Sequence, residues 1–183
     1  MPDLTYPWYG IVRGHELAQG DLLREFPRIV VPADAHRSSE VIFTREKVDA
    51  IVLTQSCDLA LRSDGTCEAT DVLLCAIYFK NDLEHHPIFG KWQAWEEARK
   101  GRRPFFHVLD SCHLIGHAHE HVLVDFHSIF TLNIAPVRDF AIGCGDRLRL
   151  MPPYREHLSQ ALARTFMRVG LPTDIPPFGK TIP

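Results

Sequence analysis

The chain has 183 residues, 45% of them hydrophobic, and 20 Lys and Arg against 23 Asp and Glu give a formal net charge of -3. That is enough for one domain, residues 1–183, with a proper core; it excludes a surface coated in positive charge for indiscriminate nucleic-acid binding, while leaving room for a local basic face. No apolar run approaches the ~20 residues of a membrane helix, Met1-Pro2-Asp3-Leu4 lacks a signal-peptide pattern, and the five cysteines include no C-x-x-C pair, so a cytoplasmic protein with reduced thiols and no membrane association is expected.

Gly20-Asp21-Leu22-Leu23 reads as a turn feeding a short strand to Phe26, which Pro27 ends or bends. Ile29-Val30-Val31 is a second apolar run, followed by an inserted loop over residues 33–40 and a short strand at Val41-Ile42-Phe43. From Val48 to Thr54 the apolar residues do not alternate, which fits a central strand covered on both faces, and Val72 to Phe79 has the same character. Residues 84–104 form a second insertion. Within it Lys91 to Lys100 combine strong helix formers with basic residues in the last turn, so a short helix is expected between Gly90 and Gly101. Strand character returns from Phe105 to Leu109. In His121 to His127, Val122, Val124 and Phe126 share one face and His121, Asp125 and His127 the other, which should be exposed or line a site. Phe130 to Ile134 is another strand and Arg147 to Leu150 a short edge. Pro152-Pro153 introduces a helix from about Tyr154 to Val169, with Leu158, Ala161, Leu162, Thr165, Phe166 and Val169 on one buried stripe and Gly170 as its stop. Residues 171–183 are too rich in proline for helix or central strand and should run extended over the surface. The pattern predicts a mainly β, α+β chain: a small barrel or sandwich with one inserted helix and one C-terminal helix.

Candidate chemistry gathers where the Val48–Thr54 strand stops, at Thr54, Gln55, Ser56, Cys57 and Asp58. A thiol there is activated if the next turn opens a helix, but the adjacent carboxylate raises a thiol pKa and no histidine is close in sequence. Cys57 and Asp58 therefore read either as a catalytic pair or as a half-buried thiol beside a turn-capping carboxylate, with Thr54, Gln55 and Ser56 as binding groups. Asp125 and His127 project from one strand face, where the carboxylate can orient the imidazole for acid–base work; the alternative is a solvated face. Cys112, His113, His117, His119 and His121 bring metal-ligand types together, but Gly116 interrupts the helix that would stack three of them, so a polar loop is the favoured reading and no cofactor is expected. Two basic clusters could meet phosphate: Lys91, Arg99, Lys100, Arg102 and Arg103 around Trp92 and Trp95, and Arg147, Arg149, Arg155, Arg164 and Arg168 near the C-terminus. The tryptophans suit stacking on bases or anchoring a protein partner.

The order of elements resembles the SH3-like β-barrel of PemK/MazF-type toxins, ribonucleases of bacterial toxin–antitoxin modules. The resemblance runs through Gly20-Asp21-Leu22-Leu23, the Ala50-Ile51-Val52-Leu53-Thr54 strand, the Val72 to Phe79 strand and the C-terminal helix. The chain is also similar to a group of uncharacterised bacterial proteins with a Leu-[Ser/Thr]-Gln-x-Cys-Asp signature and a closing Arg-Val-Gly-Leu-Pro, here Leu53 to Asp58 and Arg168 to Pro172. In PemK/MazF-like toxins an Arg-Pro pair commonly precedes the central strand, and its arginine helps stabilise charge on the scissile phosphate. Here that region reads Glu46-Lys47-Val48-Asp49, so a lysine point charge would have to replace a bidentate guanidinium. The resemblance implies an SH3-like small barrel in a cytoplasmic accessory or binding protein of a toxin–antitoxin or antiphage system, engaging RNA or a protein partner, with a homodimer allowed. The alternatives are a metal-independent ribonuclease using Asp125, His127 and one of Arg102 or Arg103, and a cysteine-dependent enzyme built on Cys57.

Overall fold

The computed structural model describes residues 6–37 and 40–167. Its strands are β1 Tyr9–Val12, β2 Leu22–Val30, β3 Thr44–Val52, β4 Asp71–Phe79, β5 Phe106–Leu109, β6 Val122–Asn133 and β7 Arg147–Leu150. Its α-helices are α1 Ser56–Leu59, α2 Trp92–Arg99, α3 Ile134–Gly143 and α4 Tyr154–Phe166. β2-β3-β4-β6-β5 form one antiparallel sheet, and β1 and β7 pair as a separate antiparallel ribbon. The chain is thus mixed α+β and mostly sheet, and among the described residues the strand pairing leaves both sheets open. No helix among these residues is long and apolar enough to cross a membrane.

The unbroken apolar runs have a simple cause. On one face of the large sheet Ile51, Cys75, Ile77, Phe79, Val122 and Val124 pack beneath the ribbon and Leu158 of α4. On the other, Ala50, Val52, Val72 and Leu74 pack with Phe26 beneath α1 and α3. β3 and β4 are interior strands covered on both faces, so neither alternates. A third, smaller cluster of Leu83, Phe89, Ala94, Ala98 and Leu123 seats α2 on the β5–β6 side of the sheet.

Several expectations change. β2 runs through Pro27 to Val30, because it is the sheet's edge strand, where a missing N–H costs no interior ladder bond. A bulge between Leu23 and Phe26 places Glu25 at φ 52°. Val41–Phe43 is not a strand: Ile42 and Phe43 are exposed and β3 begins at Thr44. The predicted strand at Phe130 to Ile134 is the second half of one long β6, and Ile134 opens α3, which the sequence reading did not anticipate; nor did it anticipate β1. Asn133 caps α3, its Oδ1 accepting from Ala135 N at 3.1 Å. On α4 the stripe is real at Leu158, which is fully buried, but Phe166 is exposed. Ser38, Ser39, Arg168, Val169, the Gly170 stop and the 171–183 tail lie outside the described residues.

Gly20 and Asp21 join the two sheets. Gly20 N donates to Val52 O and Leu150 N donates to Gly20 O, both at 2.9 Å, so this dipeptide sits between β3 and β7. Gly20 has φ 85°, and a Cβ there would lie 2.8 Å from Leu150 Cβ, so only glycine fits. Asp21 is fully buried and accepts from Arg147 Nε at 3.0 Å and Arg149 Nη2 at 3.0 Å. The expected C-terminal basic cluster therefore does not form one face: Arg147 and Arg149 are held by Asp21, and Arg155 pairs with Glu156 at 3.0 Å.

Candidate nucleic-acid interface

At the end of β3 the polar side chains are engaged by the fold. Thr54 Oγ1 accepts from Leu73 N at 2.7 Å and Ser56 Oγ from Gln19 N at 3.2 Å. Gln19 is buried; its Nε2 donates to Leu53 O at 2.8 Å and to Ser159 Oγ of α4 at 2.9 Å. Gln55 occupies the N-cap position of α1 without a side-chain cap bond. Cys57 is exposed, its Sγ 3.2 Å from Asp58 Oδ1 and 3.7 Å from Gln55 Oε1. Hydrogen bonding to the Asp58 carboxylate, then desolvation, pushes the thiol pKa up, and α1 has only four residues to oppose this. The Cys57 thiol is held in its weakly nucleophilic form.

The strand face from Asp125 to His127 is built differently. β6 pairs Val124 with Ile77 and then Ile129 with Cys75, so residues 125–128 bulge out opposite Ala76. The bulge brings His127 Nδ1 to 2.8 Å from Asp125 Oδ1, which also accepts from His127 N at 3.0 Å. The imidazole stacks on Phe105 at 4.4 Å between centroids and lies 5.3 Å from Phe106. The carboxylate side chain is 17% exposed and the imidazole 54%, an orienting acid behind an accessible ring. Neither arginine joins them. Arg103 Nε donates to Glu97 Oε2 at 2.8 Å and its guanidinium lies over Phe89, while Arg102 stays exposed in the turn after α2. Lys47 pairs with Glu25 at 3.1 Å across β2–β3.

The histidine-rich loop is held by other contacts. His113 Nε2 lies 3.3 Å from Ser111 Oγ, and the His119 ring sits edge-on to Tyr9 and Phe79. His117 N donates to Leu114 O at 3.0 Å, and His121 Nε2 lies 3.3 Å from Asp110 Oδ1. Among the described residues no three His, Cys, Asp or Glu side chains are placed to hold a metal ion.

The most distinctive surface lies around α2. Trp92 is 70% exposed, while Trp95 is partly buried, its Nε1 donating to Phe89 O at 2.7 Å. Both border a recess of about 230 Å³ with Lys80, Glu96, Arg99, Val108 and His121. Past Arg99 opens a second cleft of about 380 Å³, lined by Arg99, Lys100, Phe106, His107, His157 and Arg164 among others, with no carboxylate among the described residues of its wall. Arg99 and Lys100 share Glu96, at 2.8 and 3.0 Å. Arg164 forms no ion pair among the described residues. His107 Nε2 is buried with no hydrogen-bond partner. Burial first, and then the nearby His157 and Arg164 charges, push its pKa down to about 4, so the ring is neutral. The sequence reading named Arg164 but missed His107 and His157. The signal for His157 and Arg164 was their spacing of seven on a predicted helix, which places both on one side; only strand packing brings His107 to them.

Compared with known proteins, this chain matches no family model, no curated protein and no solved structure.

Proposed function

We propose that this chain is a cytoplasmic RNA-binding accessory protein that lays a single strand across α2, β5 and α4. The observation that carries the reading is a cationic cleft without carboxylates beside an exposed tryptophan. Cationic grooves attract the phosphate backbone, and aromatic faces stack on bases for about 1–3 kcal/mol each. A net charge of -3 leaves room for such attraction only at local basic faces. The toxin–antitoxin or antiphage setting follows from the resemblance to PemK/MazF-like proteins. The proposed architecture is an SH3-like barrel opened between β1 and β5. Its support is the linkage of β7 to β3 through Gly20 and Asp21, and the Tyr9 hydroxyl donating to Asp110 O at 2.7 Å across the gap.

The test is fluorescence anisotropy with a labelled 12-nucleotide RNA at low and moderate salt. Trp92→Ala is expected to weaken binding about 5- to 100-fold, the worth of one stacked base, and binding should fall steeply with salt. No binding at low salt, or full affinity in Trp92→Ala, contradicts the reading. A protein that co-purifies stoichiometrically and covers Trp92 would replace RNA as the partner.

The Asp125–His127 pair supports a second reading, metal-independent RNA cleavage by a PemK/MazF-like ribonuclease. It predicts new RNA ends in the same incubations, in the presence of a chelator, that disappear in His127→Ala.

A further inference from the structure

We infer that the cleft between the C-terminal end of α2, β5 and α4 is a receptor for a phosphate monoester, and that it takes the terminal phosphate of the bound RNA. This rests on the RNA-binding reading but concerns one recess within that face. Three separate elements supply its donors: Lys100 from the end of α2, His107 from edge strand β5, and His157, Gln160 and Arg164 from α4. Each carries N–H donors and no carboxylate lines the wall among the described residues; Lys100 pairs with Glu96 outside it, and Arg164 has no acid partner among those residues. Arg164 stands in this half-enclosed recess without an acid partner among the described residues, and an anion entering the cleft would supply one. His107 gives a second, independent sign. Its Nε2 is buried and unpaired, and an anionic oxygen in the cleft supplies the missing partner.

The donor set selects the kind of anion. An internal phosphodiester offers two unshared oxygens and one negative charge; a terminal monoester offers three oxygens and nearly two charges near neutral pH. Arg164 can take two oxygens through its guanidinium fork, leaving the third for His107 or His157. Arg99 borders both this cleft and the tryptophan recess. Trp92 and Arg99 are about 10 Å apart along α2, so a strand that ends in the cleft continues toward the exposed indole.

The experiment uses the full chain with one internally labelled RNA sequence in three forms: 5′-phosphate, 3′-phosphate, and hydroxyl at both ends. Anisotropy is followed by competition with inorganic phosphate and by NMR of the His107 ring. One phosphorylated RNA is expected to bind at least about tenfold tighter than the hydroxyl form. Inorganic phosphate should erase that advantage and move the His107 ring signals. Arg164→Met should remove the advantage, leaving phosphorylated and hydroxyl RNA with one equal, weaker affinity, and Arg164→Lys, which keeps the charge but not the fork, should retain part of the advantage. Equal binding of all three RNAs, with His107 unmoved by phosphate, overturns the site and leaves RNA binding standing. If no RNA binds and phosphate still moves His107, the site stands and the RNA reading falls. If neither occurs, both fall.

Discussion

Asp21→Ala is expected to destabilise the fold by about 3–5 kcal/mol, the cost of removing one partner from a buried ion network. Asp21 has no exposed side-chain surface, Arg147 only 2% and Arg149 13%. Without the carboxylate, two guanidinium groups stay inside the joint between the sheets, left with carbonyl acceptors such as Gly14 O and Glu16 O and, for Arg149, the exposed Glu16 carboxylate at 4.0 Å. Asp21→Asn keeps the volume but not the charge and should recover little. Native stabilities run to about 5–15 kcal/mol, so either substitution removes a large fraction. Urea unfolding checks it: the midpoint should fall sharply with little change in slope, and a loss below about 1 kcal/mol would show that Asp21 is not holding the sheets together.

Leu158→Ala should cost about 2–5 kcal/mol and weaken RNA binding as well. Leu158 is the fully buried anchor of α4 in the main core, while Ala161 and Leu162 are only partly buried there. The neighbouring Trp8–Tyr154 stack, with centroids 3.6 Å apart, holds the first turn, so the far end with Arg164 should loosen most. Hydrogen exchange of the α4 amides is predicted to accelerate together with the loss of RNA affinity, measured well below the melting temperature. Phe166→Ala is the control: that ring is 71% exposed, and its loss should change stability by no more than about 0.5 kcal/mol.

The elements easiest to read in the sequence were those whose pattern is set by local packing. The unbroken run at Val48 to Thr54 follows from cover on both faces, and the alternation of Val122, Val124 and Phe126 from a shared core. The α2 segment and the start of α4 carry ordinary helix signals. Long-range pairing was not legible. Arg147 and Arg149 looked like surface charge because nothing local reveals that Asp21 lies 126 and 128 residues away in sequence but beside them in space. The same limit hid His107, which meets His157 and Arg164 only after β5 has taken the sheet edge. Asp125 and His127 were readable as a pair from their spacing, yet a bulge, not a regular strand, joins them. Thr54 and Ser56 had the composition of a site, but their hydroxyls are occupied by backbone amides.

The most direct measurement is ultraviolet crosslinking of the native protein to RNA, followed by mass spectrometry to locate the modified residues. Adducts on peptides spanning Trp92 to Phe106 and Tyr154 to Arg164 are the predicted result. Adducts confined to the Thr54–Asp58 corner, or none above background at low salt, would contradict an RNA interface built on α2, β5 and α4.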